Sequence, residues 1–251
     1  MEKKVFGRPT TLNEKNFTYC PGCGHGVANR LLAESIEEMG IAGDTIGVCY
    51  VGCGGMMYDF FNIDYAFPLH GRSPAVATGI KRVRPDKIVI GYQGDGDLAA
   101  IGTAEMVHAA TRGENITIVF INNAIYGMTG GQMAPTSLPG QVTQTSPYGR
   151  DVKACGFPVK VCEMLSQLDG PEYLEGVAVN SVKNIRAAKK AIKKAFENQL
   201  AGKGFSLVEV LSSCPTNWGL TPSKALEWVE EKMIPYYPLG VYKDRSAKEE
   251  G

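Results

Sequence analysis

Residues 87–92 (KIVIGY), the turn Gly94-Asp95-Gly96-Asp97, and residues 115–121 (NITIVFI), which run into Asn122-Asn123, decide the fold. The two apolar runs are rich in β-branched residues and have strand length, while residues 98–112 between them repeat their apolar positions at helical spacing. Strand, helix, strand is a βαβ unit, whose strands lie parallel. GDGD then falls where the first strand meets the helix, the crevice at the carboxyl edge of a parallel sheet where ligands bind.

Outward from this unit the alternation continues. Val27, Leu31, Leu32, Ile36 and Met39 predict a helix over 26–39, with Gly40 as its stop. Residues 45–51 read as a strand entering Gly52-Cys53-Gly54-Gly55, and a helix follows over 72–83 with Pro74 in its first turn. Further strands are expected at 159–162, 176–179 and 205–211, with a lysine-rich helix over 182–200. The class is therefore α/β, a mostly parallel sheet with helices on both faces. Residues 1–220 form one domain in this reading. Residues 221–251 form a C-terminal arm, with a helix at 223–233 and Pro235-Tyr236-Tyr237-Pro238, expected to pack on a partner subunit; 243–251 reads as a charged, frayed end. Residues 127–149, rich in Gly, Pro, Ser, Thr and Gln, read as a functional loop.

Bulk properties narrow the function. A chain of 251 residues supports one large core. Its 26 basic and 26 acidic residues cancel, so there is no electrostatic footprint for nucleic acid or an anionic membrane. Met1-Glu2-Lys3-Lys4 is not followed by the apolar run of a secretory signal. The longest strongly apolar run, 116–121, has strand length, far from the roughly 20 residues that cross a bilayer. A soluble cytoplasmic protein is expected, and in a reducing cytosol its seven cysteines serve as ligands, catalytic groups or small buried hydrophobes.

Glycines at 94 and 96 let backbone amides approach phosphate oxygens at a helix start. Asp95 is the natural metal ligand, and magnesium needs further oxygens nearby, which Asn123 offers at the end of the adjacent strand. The plainer reading is a glycine turn followed by an ordinary asparagine turn. Cys20 and Cys23 share one tight turn before a helix, and Cys53 and Cys214 sit at strand ends, so the four suit the corners of a metal or iron–sulfur site. The plainer alternatives are half a zinc site for the first pair and buried thiols for the other two.

The GDG turn and the asparagine pair together resemble the thiamine-diphosphate signature, in which the carbonyl of Ile125 completes the magnesium shell of Asp95 and Asn123. The ordered run CPGCGHG, GCGG, HGRSPAVATGIK, GDGDLAAIG, NNAIYGMTGGQ and SSCPTNWG resembles the beta subunit of 2-oxoacid:ferredoxin oxidoreductases over about residues 16–239. That resemblance implies a thiamine-diphosphate-binding fold, with the cofactor contacted by Gly94, Asp95, Gly96, Asp97, Asn123, Ile125, Thr129, Gly130, His70, Cys53 and Gly54. It implies a four-iron, four-sulfur cluster on Cys20, Cys23, Cys53 and Cys214. Cys49, Cys155 and Cys162 match no ligand position; His25 ranks below His70 as a candidate contact, and His108 has no motif support.

The implied reaction is oxidative decarboxylation of a 2-oxoacid to acyl-coenzyme A and carbon dioxide. Thiamine diphosphate acts as the electron sink, and the cluster passes electrons one at a time to ferredoxin. The activating glutamate would come from a separate alpha subunit, so this chain alone would be silent; gamma and ferredoxin-like subunits complete the implied complex. The segment SSCPTNWGLTPSKALEWVEEKM looks most like the branched-chain type, which acts on 2-oxoisovalerate; 2-oxoglutarate and pyruvate are the alternatives. Rival readings are a zinc-binding assembly protein and a decarboxylase without a cluster.

Overall fold

The structure, a computed structural model, describes residues 7–49 and 51–246. Its strands are β1 (Thr45–Val48), β2 (Asp64–Ala66), β3 (Ile88–Gly94), β4 (Thr117–Asn122), β5 (Pro171–Ala178), β6 (Phe205–Leu211) and β7 (Gly240–Asp244). They form one sheet in the order β2-β1-β3-β4-β6-β5-β7. All neighbours pair parallel except β7, which lies antiparallel on β5. Central strands of a covered parallel sheet are buried on both faces, as β3, β4 and β6 are.

The helices are α1 (Gly24–Glu38), α2 (Gly52–Gly55), α3 (Ser73–Val83), α4 (Thr103–Thr111), α5 (Val152–Cys155), α6 (Val161–Ser166), α7 (Val182–Leu200), α8 (Pro215–Trp218), α9 (Pro222–Trp228) and α10 (Ile234–Tyr236). Strand residues alternate between the faces. Ile90, Tyr92, Val119 and Ile121 meet Leu32 and Ile36 of α1 and Ile192 and Phe196 of α7. Val89, Ile118 and Phe120 meet Ala77 of α3, Met106 and Ala109 of α4, and Leu165 of α6. In α7 the buried positions Ala188, Ala191, Ile192, Ala195 and Phe196 keep helical spacing, and the Ser181 hydroxyl caps the start by accepting from the Asn184 amide at 3.3 Å. Among the described residues no helix is long and apolar enough to cross a membrane.

Five expectations need correction. Residues 159–162 are not a strand; Val161 and Cys162 open α6, burying Cys162 and Leu165 one turn apart, and a four-residue apolar run cannot reveal its period. The helix expected over 98–112 is interrupted: Asp97–Ile101 is a wide π-type turn, and α4 starts only at Thr103. Gly102 allows this, since a Cβ there would lie 2.3 Å from the Asp97 carbonyl oxygen. The arm at 221–251 does not stand away from the domain. Val229, Met233 and Tyr237 are buried against Ala124, Leu138, Ala178 and Leu211, so this part of the segment packs on the chain's own core. Lys243 and Asp244, read as part of a frayed end, belong to β7, an edge strand whose half-buried pattern gives little periodic signal; residues 247–251 lie outside those described. The expected strand over 45–51 ends at Val48, and Tyr50 is not among the described residues.

Candidate functional site

Strand order fixes where the site forms. From β1 the chain steps outward to β2, whereas β3 and β4 step the other way, so the connections leaving β1 and β3 diverge and open a crevice at their carboxyl ends. Two adjoining cavities occupy this rim. The larger, about 330 Å³, is lined by Cys53, Gly54, His70, Gly94, Asp95, Gly96, Asp97, Asn123, Ile125 and Thr129 among others. Every expected cofactor contact but one is therefore gathered in it; Gly130, beside Thr129, is not among the lining residues.

The Asp95 carboxylate is buried. Its Oδ2 accepts from the Thr136 hydroxyl at 2.6 Å and from the Asn123 backbone amide at 3.3 Å. Burial, opposed by these hydrogen bonds, pushes its pKa up to about 6. One end of the Asn123 side-chain amide lies 3.1 Å from Asp95 Oδ1 and 2.7 Å from the Ile125 carbonyl oxygen. With nitrogen there, the amide bridges the two oxygens; with oxygen there, three oxygens meet around one point. Magnesium–oxygen bonds of 2.0–2.1 Å place neighbouring corners of an octahedron about 2.9 Å apart, so the observed separations match a magnesium shell. The donor set Asp95, Asn123 and Ile125 fits the ion.

The turn bearing these ligands is held from outside. Ala124 has φ 56°, a left-handed value costly for a residue with a Cβ. Its amide donates to Asn122 Oδ1 at 3.1 Å, and its carbonyl accepts from Ser137 at 2.6 Å and Gln141 at 2.9 Å. Asn122 in turn donates to the buried Glu209 on β6 at 2.7 Å. Tyr237 donates to the Thr136 carbonyl at 2.6 Å, tying the C-terminal segment to the residue that holds Asp95. The long loop is itself ordered by buried Arg150, which donates to the carbonyls of Ala134, Pro135 and Ser137.

Asp97 faces away from the Asp95 cluster. Its Oδ1 lies 2.7 Å from His70 Nδ1 and accepts from the Gly71 amide at 2.7 Å, while Oδ2 accepts from Gln93 at 2.6 Å. It thus orients the His70 ring into the cavity. His25 also lines this wall: its Nδ1 is 2.9 Å from the Tyr92 hydroxyl, and complete burial pushes its pKa down to about 4, so the ring is neutral. His108 is exposed on α4.

The second cavity, about 200 Å³, is lined by Cys20, Cys23, Cys53 and Cys214. Cys53, Asn123, Gly127 and Met128 belong to both cavities, and a Cβ placed on Gly127 would lie 3.5 Å from the sulfurs of both Cys53 and Cys214. The Cys20–Cys23 turn is fastened to the end of β6 by Gly24 N donating to Ser213 O at 3.1 Å and Ser213 Oγ donating to Gly22 O at 2.7 Å. Burial pushes the Cys23 thiol up to about 12 and Cys53 to about 11, with further contributions from neighbouring cysteines. Cys214 is also raised by burial, while Asn217 pulls it back. Cys23, Cys53 and Cys214, so placed, lose their protons most readily to a strongly cationic partner. Among the described residues no group of three or more His, Cys, Asp or Glu is tight enough for a single ion. Four cysteines on one cavity make an all-sulfur donor set, which fits an iron–sulfur cluster. Cys49 and Cys162 are buried in the core and Cys155 is exposed, none of them lining either cavity.

Sequence reasoning missed Thr136, Gly127 and Asn217. Asn217 lies inside the SSCPTNWG run, so its neighbourhood was legible; Thr136 sits in a polar loop with no motif.

Residues 50–210 match the family described as the thiamine pyrophosphate enzyme C-terminal TPP binding domain. The ketoisovalerate oxidoreductase subunit VorA of Methanothermobacter thermautotrophicus is 44% identical across 100% of this chain and 54% of its own length. The chain thus spans about half the length of the ketoisovalerate relatives it matches. The 2-oxoglutarate synthase subunit KorB of Methanocaldococcus jannaschii is 35% identical over 92% of this chain and 82% of that protein. A solved 2-oxoglutarate:ferredoxin oxidoreductase from Magnetococcus marinus, with 2-oxoglutarate, coenzyme A and succinyl-CoA bound, superposes with a TM-score of 0.75 at 27% identity, over 96% of this chain and 86% of that one. The chain belongs to the thiamine-pyrophosphate-binding subunits of the 2-oxoacid:ferredoxin oxidoreductases.

Proposed function

We propose that this chain holds thiamine diphosphate, magnesium and a four-iron, four-sulfur cluster in an enzyme that converts a 2-oxoacid and coenzyme A to acyl-coenzyme A and carbon dioxide, reducing ferredoxin. The observation that carries this is the shared wall: an oxygen-lined cavity and a cysteine-lined cavity meet at Cys53 and Gly127. When bound, the thiazolium accepts the electrons left by departing carbon dioxide, and an adjacent cluster accepts them singly. Asp95, Asn123 and the Ile125 carbonyl hold magnesium, and the glycine turn at 94–96 lets backbone approach the diphosphate. Asp97 fixes the His70 ring toward the bound molecule, and Ile101 and Met128 restrict water at the mouth.

Among the described residues the acids lining the cofactor cavity are Asp95 and Asp97, both already engaged, and no glutamate lines it. The activating carboxylate is therefore assigned to an alpha subunit, with gamma and ferredoxin-like subunits completing the assembly. The substrate is 2-oxoisovalerate, supported by the 44% identity to the ketoisovalerate subunit against 35% to the 2-oxoglutarate subunit.

Anaerobically purified protein is expected to be brown, to contain iron and sulfide, and to reduce ferredoxin only after partner subunits are added. A colourless protein containing zinc would refute the cluster. Rates with 2-oxoisovalerate and 2-oxoglutarate on the assembled complex decide the substrate, and faster turnover of 2-oxoglutarate would overturn our choice.

A further inference from the structure

Asn217, on the short helix α8, reaches the wall between the two cavities. Its side-chain nitrogen is 3.4 Å from Cys214 Sγ and 3.1 Å from the Gly127 carbonyl oxygen. A carboxamide nitrogen carries two hydrogens, one for each acceptor, and reversing the amide would set its oxygen against both, so the orientation is determined. The other end of the amide is backed by Gly131, where a Cβ would lie 3.2 Å from Asn217 Oδ1. One side chain therefore touches a sulfur of the cysteine cavity and the backbone of the loop whose Tyr126, Gly127, Met128 and Thr129 line the cofactor cavity.

We propose that Asn217 is a positioning residue that raises the reduction potential of the cluster and locks the Cys214 sulfur to the cofactor loop. This rests on the reading of the four cysteines as iron–sulfur ligands. Reduction adds negative charge to the cluster, and an N–H directed at a ligand sulfur stabilises that more negative state. Cys214 is only 7% exposed, so water screens the effect little. Among the described residues the Asn217 side-chain nitrogen hydrogen-bonds to Cys214 and Gly127, and a purely structural asparagine would leave the potential unmoved.

The test is an EPR-monitored redox titration of the assembled complex, with iron, sulfide and bound thiamine diphosphate quantified in parallel. Asn217→Leu, of similar size but without a donor, is expected to lower the midpoint. The reduced-to-oxidised ratio at fixed potential should fall about tenfold, which is 59 mV for one electron. Asn217→Asp, which places a carboxylate against the sulfur, is expected to lower it further. An unchanged or raised midpoint in a variant that retains its iron overturns the inference while the cluster reading stands. Wild-type complex without iron overturns both. Should the variants lose iron, wild-type protein labelled with side-chain-amide ¹⁵N asparagine still decides. An electron–nuclear coupling from that nitrogen to the reduced cluster is expected, and its absence refutes the proposal.

Discussion

At the Asp95 end of the site the carboxylate oxygens have protein partners and the bearing turn is held from three directions, by Ser137, Gln141 and Glu209 through Asn122. At the cysteine end the side chains come from three separated stretches, burial drives the Cys23, Cys53 and Cys214 thiols toward the protonated form, and one sulfur, that of Cys214, receives an amide donor from Asn217. The difference is one of assembly. Oxygen ligands can be prearranged by hydrogen bonds that survive without the ion, whereas buried thiols become ligands only as metal displaces their protons. The oxygen end should therefore tolerate emptying, and the sulfur end should not.

The largest expected effect is at the sulfur end. Cys53→Ala, or separately Cys214→Ala, should abolish ferredoxin reduction and remove most of the iron, while thiamine diphosphate still binds with magnesium. Iron analysis beside calorimetric titration of the cofactor reads both, and loss of cofactor binding together with iron would erase the distinction between the two ends. Next is Asp95→Asn, expected to weaken magnesium-dependent cofactor binding about 100-fold. Because burial raises the Asp95 pKa, the metal-free variant should also melt higher than metal-free wild type above pH 7. A lower melting temperature would show that the carboxylate supports the fold without its cation.

A smaller effect concerns pH. Burial pushes Glu209 up to about 7 from its usual 4.5, so the folded protein keeps a proton that the unfolded chain releases. The stability from this carboxyl is full below the unfolded value and is lost as pH rises to about 7. Urea midpoints of metal-free protein should fall across that window and level off above it. Glu209→Gln should flatten the decline, and an unaltered slope would exclude Glu209 as its source. The smallest is Tyr237→Phe, which removes one neutral hydrogen bond to Thr136 and should cost about 1 kcal/mol. Cofactor affinity should drop slightly while iron content stays constant. An effect on iron would show that the C-terminal segment braces both ends.

The parallel core was legible because β3, β4 and β6 are long β-branched runs bracketing a clear helical period. The site was legible where backbone chemistry demands particular residues, at the glycines of GDGD, the asparagine pair and the cysteine turns. What escaped were contacts set by tertiary proximity. Thr136 reaches Asp95 across 41 positions, and nothing in its own neighbourhood signals that. That Val229, Met233 and Tyr237 pack on the domain was not legible, because an apolar helix stripe looks the same whether it meets a foreign surface or its own core. Asp97 was grouped with the cofactor contacts because it shares a motif with Asp95; it lines the same cavity, but which of its oxygens meet His70, Gly71 and Gln93 is set by tertiary proximity that the motif does not show.

Gly127 places bare main chain beside the sulfurs of Cys53 and Cys214, where an added methyl would reach ordinary van der Waals contact with both. Alanine at that position should accordingly be tolerated, whereas a bulky side chain has both compartments to invade. A screen that scores coloured holoprotein and cofactor retention independently should see both signals fail in the same bulky-residue clones.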